Sequence, residues 1–392
     1  MLISVLTLTA TATTYYVAPT GDDAHPGTVN QPWRTIQHAA DTMVAGDTVY
    51  IRAGTYHERV VPQNSGSSGN YITYTAYPGD TVTIDGAGIT LPQDWGGLFD
   101  VTDKRYITIS GLRIINAGPN ANNAGILVDL SSYITIENCS TQNTVSSSIG
   151  IWNSKHITID GNEIVLACND GEQECITVAG TDTFEVKNNH VHHGGPGSIG
   201  GEGIDIKDGS SNGRVYKNHV HDLNRLGMYV EPWDKHTSII DVYQNIVHDC
   251  HGNGFCVASE AGGLLEHVSF YNNIAYRNEE CGFNFGHYGE EDILSRPLKD
   301  IKVINNVFYN NGKGSWGGGI SVESRDAEDT TIRNNIISKN LVFQMNVEVS
   351  IPNLIIDHNL IDGYRGFDSE TYGTDFLEGD PRFQNPSGVN FH

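Results

Sequence analysis

Basic residues are scarce in this sequence. Its 392 residues carry 23 Lys and Arg against 47 Asp and Glu, a net charge of −24, and the cations never gather into a run. That composition argues against nucleic acid as a partner. It also repels an anionic substrate at long range unless a cation stands in the site. Long apolar runs are lacking as well. Residues 1–12 are small and apolar, but too short to span a bilayer. With Ala10-Thr11-Ala12 resembling a cleavage site, residues 1–14 read as the remnant of a secretory signal whose basic start is missing. The alternative is an ordinary first strand. The expectation is a secreted or cell-surface protein with no membrane span, taken here as a monomer. Six cysteines are present, none with the Cys-x-x-Cys spacing of a zinc site. Cys168 and Cys175 bracket a polar loop that a disulfide could close; buried free thiols are the equal alternative.

Glycine, by contrast, is abundant, with 44 residues, and Asn, Thr, Ile and Val accompany it, as short strands joined by tight turns require. An Asn recurs behind a short β-branched strand at Asn138, Asn162, Asn189, Asn218, Asn245, Asn273, Asn306, Asn335 and Asn359. The spacings run from 24 to 33 residues, a solenoid signal in which each copy is one rung. Asn suits the left-handed turn conformation and can bond its equivalent one rung away, so these residues predict a structural ladder. A second strand in each rung opens with Gly and an apolar residue, as in Gly125-Ile126, Gly203-Ile204, Gly227-Met228, Gly254-Phe255, Gly282-Phe283 and Gly319-Ile320. The expected fold is all-β: one single-stranded right-handed parallel β-helix of about ten rungs, filling residues 15–392 as a single domain. A helix over 33–44, with Trp33, Ile36, Ala39, Ala40 and Met43 on one face, caps its open end.

Strand alternation fixes which residues point outward. The first outward column reads Leu127, Trp152, Thr177, Asp205, Tyr229, Cys256, Asn284 and Ser321. The second reads Asp129, Ser154, Ala179, Lys207, Glu231, Ala258, Gly286 and Glu323. The stretch Gly-Gly-Glu-Gly-Ile-Asp-Ile-Lys-Asp-Gly at 200–209 sends Asp205 and Lys207 to the same face. A solvated ion pair would explain that stretch alone. Yet charged and aromatic side chains gather over the rungs that start at 203, 227, 254 and 282, a groove roughly 15–20 Å long that suits an extended polysaccharide. Asp205, Lys207, Glu231 and Lys235 are the candidate catalytic groups. Tyr229, Trp233, Asp234, Glu260, His287 and Arg225 are the candidate substrate contacts. His192, His221 and His248 form a further column that reads as a turn feature before a metal site.

The opening Tyr-Tyr-Val-Ala-Pro-Thr-Gly-Asp-Asp, with the helix and strand behind it, resembles carbohydrate-active parallel β-helix proteins, family-nine pectate lyases above all. The closing Gly379-Asp-Pro-Arg-Phe resembles the last segment of many such coils. The resemblance implies a calcium ion held by aspartates and a lysine base. Glu202 and Asp205 match two acidic positions of the family's Asp-Asp-Gly-x-Asp, with Asp208 beside them, and oxygen ligands suit Ca²⁺. The family lysine follows a Gly-Asn-Gly-Phe run; here Gly252-Asn253-Gly254-Phe255 is followed by Cys256. Lys207 or Lys235 would have to serve instead. The function expected is a calcium-assisted lyase that eliminates across a uronate-containing polymer. A glycoside hydrolase is the alternative, with Asp205 and Glu231 about 8 Å apart, inside the inverting range of roughly 6.5–9.5 Å. A non-catalytic glycan-binding protein, using Trp152, Tyr229 and Trp233, is the third.

Overall fold

A computed structural model describes residues 12–196, 200–289, 293, 295–313 and 316–385. Most of the expected leader, residues 1–11, lies outside that range, and strand pairing begins at Thr14, whose segment Thr14–Val17 pairs with Thr48–Ile51. The named strands pair in parallel into three sheets of 14, 13 and 10 strands, a solenoid of about eleven turns. One turn shows the pattern. Ile204–Lys207 lies in the third sheet, Ser211–Tyr216 in the first and His219–His221 in the second, and Met228–Val230 then re-enters the third. Alternate residues Ile204, Ile206, Val215, Val220, Met228 and Val230 fill the interior, so burial and register specify each other.

The asparagine ladder exists, with a correction. From Asn162 to Asn335 each amide Nδ2 donates to the Oδ1 of the next rung, ending at Asn359, at 3.0–3.1 Å, and to a backbone carbonyl of the preceding rung. Asn138 is not in it. Ser140 pairs with Glu163, so Cys139 stands opposite Asn162, and the Cys139 backbone donates to Asn162 Oδ1 at 2.9 Å. The left-handed turn residue is the one before each ladder position: Asn138 (φ +52°), Gly161 (+67°), Asn188 (+55°) and Lys217 (+56°). Turn and ladder are therefore two neighbouring columns. A second, shorter ladder of Asn278, Asn311, Asn340 and Gln344, unseen in the sequence, links the later rungs at the loop that follows the second sheet.

The glycines that open the third-sheet strands have a packing reason. A Cβ on Gly203 would stand 2.4 Å from the Gly227 carbonyl oxygen, and one on Gly227 would stand 2.7 Å from that of Gly254. Rungs here approach too closely for any side chain.

The helix is shorter than expected, Ile36–Thr42, with Thr35 accepting from the His38 amide at 3.2 Å. Trp33 is instead extended, bridging to Val17 and stacking on Tyr15 at 4.4 Å. Ile36, Ala39 and Ala40 still join the core at the first turn. All six cysteines are buried and free, so the thiol alternative holds.

Asn245→Ala should cost about 3 kcal/mol or more, because it orphans the Asn218 amide, the Val215 carbonyl and one Asn273 bond in a dry interior. Asn138→Ala, at an exposed turn, should cost about 1 kcal/mol. Denaturant midpoints of the two variants check this, and equal losses would contradict the ladder placement.

Candidate functional site

The strand Ile204–Lys207 turns Ile204 and Ile206 inward and sends Asp205 and Lys207 out, as the alternation requires. Across the rungs the first outward column is Leu127, Gly150, Thr177, Asp205, Tyr229, Cys256, Asn284 and Ser321. Trp152 falls one step further along, opposite Asp129 and Ala179, in the column of Lys207. It packs edge-on against Trp95 at 4.2 Å.

Facing outward here does not mean facing water. Asp205 is only 3% exposed, and Glu231 is equally buried. Loop side chains cover them. Lys207 Nζ donates to Glu174 Oε1 at 2.7 Å and sits 4.0 Å from Asp205 Oδ2. Glu174 Oε2 accepts from Thr177 Oγ1 at 2.8 Å. Burial and then Glu174 push the Asp205 carboxyl well up, although Lys207 opposes this. Burial also pushes Glu231 up to about 8 and Glu202 to about 7. For Lys207, burial works against the charge, but Glu174 and Asp205 outweigh it and hold the ammonium more firmly protonated than a free lysine. A lysine so held is a fixed positive charge. That charge opposes the general-base role expected of it, which needs the neutral amine.

Glu174 was missed by the sequence reading. Its signal was present: Ile176 pairs with Ile204, which puts Glu174-Cys-Ile-Thr in register with Glu202-Gly-Ile-Asp.

Beside this knot lies a cavity of about 420 Å³, lined among others by Glu202, Arg225, Tyr229, His251, Glu260 and Tyr288. Of the expected residues it takes in Glu202, Arg225, Tyr229 and Glu260. Asp205, Lys207 and Glu231 lie outside its lining, as do Asp208, Trp233, Asp234, Lys235 and His287. Arg225 Nε binds Glu202 Oε1 at 2.7 Å, and the Tyr229 hydroxyl donates to Glu260 Oε1 at 2.7 Å. Tyr229 is buried and packs with Cys256, Ala258, Leu226 and Tyr288 as a small apolar cluster outside the main core, so its ring is no open sugar platform. Cys256, a member of that cluster at the family's lysine position, has its thiol pushed far up by burial. Trp233 is 48% exposed on the turn after Glu231, and its amide donates to the Glu231 carboxylate. His287 contacts Arg296 at 3.5 Å, away from the cavity lining. Arg277 is bound to Asp249, at 2.9 Å through Nε, and stacks on Tyr276, so it is a turn residue.

The expected calcium set fits poorly. Among the described residues, the groups of donors lying within 4.8 Å of one another are His190 with His219 and His221, and Glu163 with His190 and His192; Glu202, Asp205 and Asp208 are not such a group. Lys207 lies 2.7 Å from Glu174 and 4.0 Å from Asp205, and Arg225 lies 2.7 Å from Glu202, so cationic side chains already stand where the ion would. One acceptor, Asp205 Oδ1, is buried without a partner, which alone does not make a cation site.

The histidine column is real and larger than expected. His192, His221 and His248 stack at 5.2 and 4.8 Å, with His190 and His219 stacked beside them at 5.0 Å. Burial and the surrounding imidazoles push His219 down to about 4.

Known proteins share this architecture. The family model of the Pel9A-like right-handed β-helix region matches residues 15–316. The protein YwoF of Bacillus subtilis is 27% identical over 354 residues, covering 82% of this chain and 74% of its own. A pectate lyase, PEL9 of Emericella nidulans, is 34% identical over 115 residues, 26% of this chain and 28% of its own. Among solved structures, pectate lyase Pel9A superposes with a TM-score of 0.55 at 16% identity, over 97% of this chain and 84% of that one. The periplasmic alginate epimerase AlgG gives 0.53 at 12% identity, over 80% and 77%. At such identities the solved structures support the fold alone.

Proposed function

Since the chain belongs to the Pel9A-like right-handed β-helix family, we propose that it is a polysaccharide lyase acting on a uronate-containing polymer in the cavity beside Tyr229. The observation that carries this reading is the lining itself: a guanidinium (Arg225), an imidazole (His251) and a carboxyl displaced to about 7 (Glu202) meet in one pocket. Elimination needs those three functions. Arg225 binds the uronate carboxylate and stabilises charge that spreads onto it, a task the family gives to calcium. His251 takes the proton from the carbon beside that carboxylate. The electron pair becomes the new carbon–carbon double bond, and the bond to the glycosidic oxygen breaks. Glu202, protonated near neutrality, returns a proton to that oxygen. The calcium expected from the resemblance has no step here, and neither Lys207 nor Lys235 is the base.

One observation favours hydrolysis instead. Glu260 and Glu280 line the same pocket as Glu202, and burial pushes Glu280 upward as well. An acid–base pair drawn from these would replace the buried pair Asp205 and Glu231. Incubation with acidic and neutral polysaccharides, with and without chelator, separates the readings. Ultraviolet absorbance from an unsaturated sugar, undiminished by chelator, is the expected result. Reducing ends without that absorbance would establish the hydrolase. Loss of the absorbance on chelation would restore calcium to the site.

A further inference from the structure

We propose that the histidines on the outer face of the second sheet form a binding site for a transition-metal dication of the zinc class. The strands His190–His192, His219–His221 and Ile246–His248 are adjacent, parallel and in register, so His190 stands beside His219 and His192 beside His221 and then His248. Val191, Val220 and Val247 point into the core, which fixes the imidazoles on the outside.

The ring nitrogens converge. His190 Nε2 lies 2.7 Å from His221 Nε2, and His219 Nε2 lies 2.8 Å from His248 Nε2. Ligand nitrogens of His190, His219 and His221 all fall within 4.8 Å of one another. The opposite edges of two rings are anchored by acids: His221 Nδ1 is 2.6 Å from Asp222 Oδ2, and His248 Nδ1 is 2.7 Å from Asp249 Oδ2. A carboxylate only accepts, so each of these Nδ1 atoms carries the proton and each Nε2 presents a lone pair inward. Carboxylates behind metal-binding imidazoles set the tautomer in this way. His221 offers a lone pair held by its acid, and His190 and His219 reach the same point once their protons shift to Nδ1, so three imidazoles make a donor set for one cation, with water completing its shell.

Nitrogen donors select zinc, cobalt, nickel or copper over calcium and magnesium, which take oxygen. Zinc–nitrogen bonds of about 2.0–2.1 Å put tetrahedral ligand atoms roughly 3.3 Å apart. The close His190–His221 Nε2 pair would open by about half an ångström, a small ring rotation. The net charge of −24 draws cations to the surface in general. This site is on the second sheet, while the candidate catalytic cavity is built on third-sheet strands and their loops, so the two can be tested apart.

The experiment titrates the full chain with Zn²⁺ and with Co²⁺ by calorimetry, in excess Ca²⁺, and follows the cobalt visible bands. The expected result is one saturable equivalent with the intense visible absorption of four-coordinate cobalt. His219→Gln and His221→Gln should each weaken binding by at least about tenfold, and Asp222→Asn by roughly 10–100-fold. Asp222 is at a surface turn, so that variant keeps the fold, which circular dichroism checks. Absence of a saturable equivalent, affinity unchanged in all three variants, or displacement by Ca²⁺ would each overturn the proposal, leaving a ladder of hydrogen-bonded imidazoles.

Discussion

Lys207→Met should destabilise the protein by about 3–5 kcal/mol, a larger loss than any surface substitution on this chain. The lysine stands among Glu174, Asp205 and Glu231, and its Nζ bonds Glu174 at 2.7 Å with both partners largely buried. Removing it strands carboxylates in a dry pocket with no charge to answer them. The double variant Lys207→Met/Glu174→Met should recover much of the loss, since replacing a buried pair by apolar groups of like size is close to neutral. Denaturant midpoints at fixed pH test both. A Lys207→Met midpoint within experimental error of the parent would contradict the buried-pair assignment.

The same carboxyls tie stability to pH. Glu202 and Glu231 titrate near 4.5 when unfolded but near 7 and 8 when folded, so the native state holds those protons more tightly. Stability from them is complete below about pH 4.5 and is lost as pH rises through 7 to 8. His219, pushed down to about 4, works the other way below about pH 6.5, so the test is the difference: between pH 5 and 8.5 the melting temperature of Glu231→Gln should gain on that of the parent. A difference between Glu231→Gln and the parent that stays constant or shrinks across that interval would contradict the sign.

Much of the fold was legible because a solenoid repeats its signals. The Asn column and the Gly-apolar strand openings each recur rung after rung, and hydrogen bonds and close backbone approach explain why. The slip at Asn138 has the same origin. Pairs such as Asn188-Asn189 and Asn272-Asn273 put Asn in both the turn and the ladder column, so a rung with one Asn cannot say which it occupies. Burial of the site was harder to read. Alternation told that Asp205 and Glu231 face out of the coil, but not that side chains placed before and between the strands fold over them, as Glu174 does two residues ahead of Ile176. His251, Glu280 and Tyr288, all in the cavity lining, lie outside the paired strands, where alternation assigns no face, and were missed. Tyr288 comes after the strand Phe283–Phe285, and its hydroxyl accepts from Asn284 at 2.7 Å, a contact no column shows.

Glu202→Gln should lower turnover by roughly 10²–10⁴-fold, the usual contribution of a positioned proton donor. The glutamine keeps the shape and can still meet Arg225, so binding should change far less than turnover. The pH profile makes the test specific. With Glu202 as the acid, the rate of the parent falls as pH rises through about 7, where the folded carboxyl loses its proton. In Glu202→Gln that alkaline limb should vanish, leaving a low and flatter profile. His251→Gln should abolish elimination, because no group then takes the proton from the carbon beside the carboxylate. A purely structural role for Glu202 would lower the rate at every pH and leave the limb in place. The two readings of the chemistry part here as well. A lyase loses its unsaturated product in both variants, whereas a hydrolase that pairs Glu202 with Glu260 or Glu280 tolerates His251→Gln and fails on loss of the partner glutamate. Full activity in Glu202→Gln would remove the cavity from the reaction and return attention to the exposed face around Trp233, Asp234 and Lys235.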